Sequence, residues 1–152
     1  MAEAAVADVV CIASWNADLV SRIPRPLARG ETLMARSFDI SPVGKGSNAA
    51  VASARQGARV ALVARIGDDD FGRMGLALWH AEGIDTRHVA QAPGERSGVA
   101  QILVYDDGDN SIAVAAGAGT GLDAGHVQAA AGTLRHARVV MASCEVPQAA
   151  TL

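Results

Sequence analysis

The chain has 152 residues, enough for one domain with a buried core. Half of the residues are hydrophobic but only 3% are aromatic, so an aliphatic core is expected. A net charge of -3 without a block of Lys or Arg argues against nucleic-acid binding, and no apolar run is long enough to span a membrane.

The first predicted element is a buried strand over Val9 to Ala13, which runs into the polar stretch Ser14 to Asp18. Ligands of open α/β sheets bind beyond the carboxyl ends of strands, so Asn16 and Asp18 are candidate binding residues. The alternative is a turn, because Asn and Asp often bond their own backbone in loops.

The most informative segment is Gly44-Lys45-Gly46-Ser47-Asn48, which leads directly into the helix-forming run Ala49 to Gln56. A lysine, an amide and unpaired N–H groups at a helix start favour a polyhydroxylated or anionic ligand. The segment is not a Walker phosphate loop, because Asp39 and Gly46 occupy positions where that motif needs Gly and Ser or Thr. A simple tight turn would explain the glycines but not the lysine and the amide.

The following elements alternate, which predicts a parallel sheet. They are a strand over Arg59 to Ile66, a helix over Phe71 to Glu82 and a strand over Ala137 to Ala142.

A hairpin is predicted between them, because Asp106-Asp107-Gly108-Asp109-Asn110 separates the strand-like Gly98 to Tyr105 from Ser111 to Ala115. With the strand-like Thr32 to Ile40, this hairpin is expected to form a small side sheet that covers a ligand.

Several chemically suggestive residues are assigned structural roles. Asp68 is predicted to cap the helix near Phe71, rather than to join Asp69 and Asp70 in a metal site. Trp15 is predicted to pack in the core. The histidines lack metal-ligand spacing and are expected at the surface or at helix ends; they are His80, His88, His126 and His136. Cys11 and Cys144 lie in apolar segments without a CxxC or Cys/His spacing and are expected to be reduced core thiols.

Taken in order, these motifs resemble the N-terminal half of ribokinase-like members of the PfkB family of carbohydrate kinases. The matching segments are Asn16-Ala17-Asp18, Gly30-Glu31-Thr32, the Gly44 to Asn48 segment with Ala49 and Ala50, Gly57-Ala58, Gly67-Asp68-Asp69 with Gly72, Gly83-Ile84-Asp85, Ser97-Gly98-Val99-Ala100, Gly117-Ala118-Gly119, and Glu145 before Pro147.

The resemblance implies an α/β, ribokinase-like fold: a mainly parallel sheet flanked by helices, with a small β lid sheet. It makes residues 1–152 the N-terminal part of one domain, with lid segments near 30–42 and 97–116. It also implies that the sugar, most simply ribose phosphorylated on its 5-hydroxyl, is held by Asn16, Asp18, Gly44, Lys45, Asn48 and Glu145. The sequence departs from the family at Val43, where glycine is usual. A β-branched residue disfavours positive φ, so the turn into the loop can be shifted and the preferred sugar can differ from ribose.

The same resemblance places the catalytic Asp and the site for ATP and Mg²⁺ in a C-terminal half that is absent here. The similar Gly117-Ala118-Gly119-Thr120 has Thr in place of that Asp, so no catalytic, cofactor or metal residue is assigned and the segment alone is expected to be inactive. A homodimer through the lid sheet is also implied.

Two alternatives remain at this point. One is a stand-alone, non-catalytic sugar-binding half-domain. The other is a dinucleotide-binding protein, because Gly119-Thr120-Gly121-Leu122-Asp123-Ala124 fits G-x-G-x-x-A, with Glu145 available for a ribose hydroxyl. The acidic start lacks the basic region of a signal peptide, which favours a cytoplasmic protein.

Overall fold

Two four-stranded sheets organise the computed structural model, which describes residues 6–151. In chain order the elements are β1 (Val9–Ile12), β2 (Asn16–Arg22), β3 (Ser37–Val43), α1 (Lys45–Arg55), β4 (Val60–Gly67), α2 (Asp70–Ala81), β5 (Asp85–Ala92), β6 (Gly98–Val104), β7 (Asn110–Ala115), α3 (Ala124–Ala129), α4 (Ala131–His136) and β8 (Val139–Ala142). Short 3₁₀ helices cover Gly117–Gly121 and Gln148–Ala150.

The central sheet has the strand order β5-β4-β1-β8, and all of its pairs are parallel. The predicted parallel sheet is therefore confirmed. Its strand β4 reads Val-Ala-Leu-Val-Ala-Arg-Ile-Gly and is buried almost throughout, as expected of a strand covered on both faces. Strand β5 was not predicted, because its polar sequence lacks an apolar run.

The side sheet comprises β3, β2, β6 and β7 in that order. The hairpin β6–β7 is antiparallel as predicted, and β3 pairs antiparallel with β2. Strand β2 itself was not predicted: Asn16 and Asp18 lie within it, pairing with β6 in parallel, and so the turn considered for them is wrong.

The core lies on the two faces of the central sheet. One cluster, which includes Cys11, Trp15, Leu62 and Trp79, packs under α1 and α2. The other lies under α3 and α4 and includes Val10, Ile12, Val63 and Leu122. Trp15 is 2% exposed, which confirms its predicted packing role.

Two predictions about polar and thiol residues need correction. Helix α2 is capped by Asp69, not Asp68, because the Asp69 carboxylate accepts a 2.9 Å hydrogen bond from the Gly72 N–H. Cys11 is buried, which raises the pKa of its thiol to about 11, but Cys144 is exposed after the end of β8. The expectation that both cysteines are core thiols is therefore wrong for Cys144.

Candidate functional site

The six residues expected to bind a sugar converge on one cavity of about 310 Å³. They come from three distant parts of the chain: the start of β2, the turn between β3 and α1, and the segment after β8. The remaining wall is mostly apolar and belongs to the side sheet, from Val43, Ala100, Ile102, Ile112 and Val114.

Asn16 and Asp18 enter the cavity from β2, where residues two apart share one face of a strand. Their partners in β6 are the small residues Gly98 and Ala100. A Cβ on Gly98 would overlap the Asn16 side-chain oxygen, so the absence of a side chain there leaves room for the amide.

Gly44 makes the sharp turn from β3 into α1. Its φ of 129° is unfavourable for other residues, and a Cβ there would clash with the Ser14 carbonyl. Val43 keeps an extended conformation as the last residue of β3, so the positive φ falls on Gly44 alone at this turn. The helix begins at Lys45, earlier than the predicted run from Ala49, and this places both Lys45 and Asn48 in its first turn.

Glu145 joins the turn to the end of the central sheet. One carboxylate oxygen accepts a 2.6 Å hydrogen bond from Lys45 Nζ; the other accepts bonds from the Lys45 N–H at 3.1 Å and Ser14 Oγ at 2.7 Å. Glu145 thus takes up one of the unpaired N–H groups at the start of α1. Sequence reasoning missed Ser14, whose hydroxyl had no signal in local spacing.

The charged groups of the cavity shift one another's pKa. Partial burial opposes ionisation of Glu145, but the hydrogen bonds from Lys45 and Ser14 outweigh it and lower the Glu145 pKa. The same contact raises the Lys45 pKa. Burial and the nearby Glu145 charge raise the pKa of Asp18 above its usual range.

Three polar side chains of the cavity have no hydrogen-bond partner among residues 6–151: those of Asn16, Asp18 and Asn48. Lys45 Nζ makes one bond and retains two donors. The cavity therefore presents free donors and acceptors in front of an apolar wall, an arrangement suited to a small polyhydroxylated molecule.

A second cavity of about 390 Å³ adjoins this one and shares Asn16, Val114 and Glu145 with it. Its far side includes Gly119 and Thr120, from the turn Gly117–Gly121. The Arg65 guanidinium holds that turn by donating a 2.6 Å hydrogen bond to the Ala118 carbonyl.

The geometry of a dinucleotide-binding fold is absent from the segment that fits its motif. The preceding strand β7 lies in the side sheet and pairs antiparallel with β6, whereas the following strand β8 lies in the central sheet. The motif requires two parallel strands of one sheet, so that interpretation is wrong.

Within residues 6–151, no group of three or more His, Cys, Asp or Glu side chains is placed to hold a metal ion. Three of the histidines bond locally instead; His126, for example, forms a capping box with Asp123 at the start of α3. His88 is half-buried and lies 2.8 Å from Thr133 Oγ1, in α4. None of the helices in the same part of the chain has the length and apolar character needed to cross a bilayer.

The fold and the cavity define an α/β protein in which a side sheet lies over a cavity lined by polar side chains. The family model that matches residues 6–150 is that of the pfkB family carbohydrate kinases. The chain is 35% identical to ribokinase of Mus musculus over 150 residues, which is 99% of this chain and 46% of the mouse protein.

Solved structures of ribokinases have the same fold. Ribokinase from Giardia lamblia superposes with a TM-score of 0.86 at 33% identity, over 97% of this chain and 44% of that one. Arabidopsis thaliana ribokinase complexed with ribose and ATP gives a TM-score of 0.84 at 26% identity, over 95% of this chain and 47% of that one. The chain belongs to the PfkB family of carbohydrate kinases and has the ribokinase-like fold. It spans about half the length of the relatives it matches.

Proposed function

We propose that this chain is the sugar-binding portion of an ATP-dependent carbohydrate kinase, and that its sugar is ribose, phosphorylated on the 5-hydroxyl. The observation that carries the proposal is the convergence of unpartnered Asn16, Asp18 and Asn48 side chains with Lys45 and Glu145 on one cavity. A pentose presents a dense array of hydroxyl groups, and each can donate to a carboxylate and accept from an amide or ammonium group.

Each residue has a proposed role. Asp18 accepts hydrogen bonds from sugar hydroxyls, and Asn16 and Asn48 each accept and donate them. Lys45 uses its spare N–H donors, while Glu145 fixes the Lys45 side chain and completes the ring around the sugar. The apolar residues of β6 and β7 exclude water above it.

The phosphoryl transfer itself is proposed to use residues outside positions 1–152. ATP with Mg²⁺ would supply the phosphoryl group and neutralise its developing charge. The residues of this chain would orient the acceptor hydroxyl and keep water from competing with it.

The test is a calorimetric titration of D-ribose into the protein as its gene encodes it, together with an assay of ATP-dependent D-ribose phosphorylation. Asp18→Ala is expected to weaken ribose affinity about 100-fold or more, because it removes a directional acceptor from a site whose other groups stay unpaired. Asp70→Ala is the matched control, because Asp70 is 93% exposed and its ion-pair partner, Arg73, also lies on α2.

Three outcomes separate the possibilities. Ribose binding with turnover, both lost in Asp18→Ala, supports the kinase. Ribose binding without turnover by the encoded protein would instead support a non-catalytic sugar-binding module. If Asp18→Ala binds ribose with the same affinity as Asp70→Ala and phosphorylates it at the same rate, the assigned site is wrong.

We also propose that two copies associate through the side sheet. Phe38 and Ile40 lie on the face of β3 away from the cavity and are 57% and 47% exposed, an unusual position for large apolar side chains. Sedimentation equilibrium is expected to show a dimer, and Phe38→Ser to shift it toward the monomer. A wild-type protein that stays monomeric at high concentration would overturn this proposal.

A further inference from the structure

Helix α2 lines no part of the sugar cavity, but it contacts two of the three segments that carry the cavity's polar residues, the one before β2 and the first turn of α1. The contacts are made through Trp15 and Trp79, the only two tryptophans of the chain. Trp15 directly precedes Asn16 on the chain, and Trp79 bonds to the residue that directly precedes Asn48.

The first contact joins α2 to the segment before β2. The Trp15 indole N–H donates a 3.1 Å hydrogen bond to the Phe71 carbonyl in the first turn of α2. The Trp15 ring lies over Gly75, where a Cβ would approach the ring to 2.9 Å. Its edge-to-face contact with Trp79 has ring centroids 5.1 Å apart. These three contacts hold the Trp15 side chain in place against α2.

The second contact joins α2 to α1. The Trp79 indole N–H donates a 2.8 Å hydrogen bond to Ser47 Oγ, and both residues are fully buried. The surrounding cluster is otherwise apolar, and within residues 6–151 the two groups bond only to each other through their side chains. Because Ser47 lies in the first turn of α1, this bond fixes the same turn that carries Lys45 and Asn48.

A buried hydrogen bond between two neutral groups adds little net stability, because both groups give up hydrogen bonds to water when the chain folds. Its direction, however, is strict. An apolar contact in the same place would tolerate sliding of α1 against α2, whereas the indole–hydroxyl bond admits one arrangement.

We propose that Trp15, Trp79 and Ser47 are positioning residues that use α2 as a brace to set the separation between the Asn16–Asp18 strand and the Lys45–Asn48 turn. The inference rests on the proposed sugar-binding function of those segments. Its consequence is that sugar affinity depends on a hydrogen bond that no sugar atom touches.

The experiment is a double-mutant cycle of Trp79→Phe and Ser47→Ala in the protein as encoded, with calorimetric D-ribose affinity and urea unfolding measured for each variant. Each single variant leaves one buried polar group unpaired and is expected to lose stability. The double variant leaves no polar partner behind, so its loss of stability is expected to be smaller than the sum of the two single losses, the remainder being the cavity left by the smaller phenyl ring. Its ribose affinity is expected to stay about fivefold to tenfold weaker than that of the wild type, and a tenfold loss corresponds to about 1.4 kcal/mol.

A purely structural role predicts a different pattern, because affinity would then follow stability and the double variant would lose less affinity than the two single variants together. Recovery of wild-type affinity in the double variant, or unchanged affinity in both single variants, would overturn the proposal. Leu62→Val is the control: it removes volume from the same core cluster while leaving both partners of the indole–hydroxyl bond in place, and it is expected to lower stability without changing affinity. If the wild type itself does not bind D-ribose, the proposed function fails rather than the brace.

Discussion

Gly46 lies in the first turn of α1, against the end of β1, and replacing it tests how closely the sugar turn must approach the central sheet. A Cβ at this position would lie 2.6 Å from Ala13 Cα and 2.8 Å from Ala13 Cβ. Ordinary contacts of this kind are 3.4 Å or longer, so the first turn must move away by about 0.8 Å, that is 3.4 minus 2.6. The atoms it meets include backbone, so no side-chain rotation relieves the clash.

Gly46→Ala is therefore expected to displace Lys45 and Asn48 together. A misplacement near 1 Å in a site of directional hydrogen bonds costs up to about 100-fold, so we expect D-ribose affinity to fall about tenfold to 100-fold. The overpacking should also lower the free energy of unfolding by about 1–3 kcal/mol, measured by urea denaturation.

Gly132→Ala provides the matched control, because Gly132 is also helical and a Cβ there meets nothing within 4 Å. It is expected to leave affinity unchanged and to stabilise the protein by about 0.5–1 kcal/mol. A folded Gly46→Ala variant that binds D-ribose like the wild type, or an equal loss of affinity in Gly132→Ala, would contradict the close approach of this turn to the sheet as the cause.

The remaining predictions concern charged residues. The raised pKa of Asp18 means that the fold disfavours its ionised form. Asp18→Asn should therefore raise the free energy of unfolding at pH 7 while it weakens D-ribose binding, and a less stable variant would contradict this. Wild-type affinity should likewise fall on acidification at a higher pH than an ordinary aspartate would give, in calorimetry from pH 7 downward. Lys45→Met should raise the pKa of Glu145 and weaken ribose binding about tenfold, yet leave the stability nearly unchanged because Lys45 is 76% exposed. A marked loss of stability in thermal unfolding would argue against the site role. Asp69→Ala should lower the free energy of unfolding by about 2–4 kcal/mol, because the Asp69 carboxylate caps α2 and accepts hydrogen bonds from Ser97. The stability that Asp69 contributes should be present above the unfolded pKa of an aspartate and disappear as pH falls through its lowered folded pKa. Unchanged urea unfolding would refute this.

The sequence predicted those elements whose apolar pattern is local. Strand β4 and helix α2 have uninterrupted or regularly spaced apolar residues, and the Asp-Gly step identifies the β6–β7 hairpin. Strand β2 escaped prediction because its polar residues Asn16 and Asp18 face the cavity instead of the core, so the functional site itself disrupts the apolar signal.

The site was only partly accessible from local spacing. The turn before α1 carries its own chemical signal, but Glu145 is 100 residues from Lys45, and only the parallel pairing of β1 with β8 brings the two together. The Ser14 hydroxyl and the Trp79–Ser47 bond are equally non-local and carry no sequence signal. Choosing between Asp68 and Asp69 as the cap depended on where α2 begins, which propensity places only within one or two residues.

The most direct test of the proposed sugar site is an NMR titration of the isotope-labelled protein with D-ribose, following backbone amides. Saturable shifts are expected in three separate segments, around Asn16 to Asp18, Gly44 to Asn48 and Glu145, because the folded cavity brings them together. The outer groove of α1 begins at Asn48, but its residues Ala52, Arg55 and Gln56 lie outside the cavity and should not respond. Saturable shifts confined to that groove, or no saturable shifts at millimolar ribose, would contradict the assignment of this cavity as the sugar site.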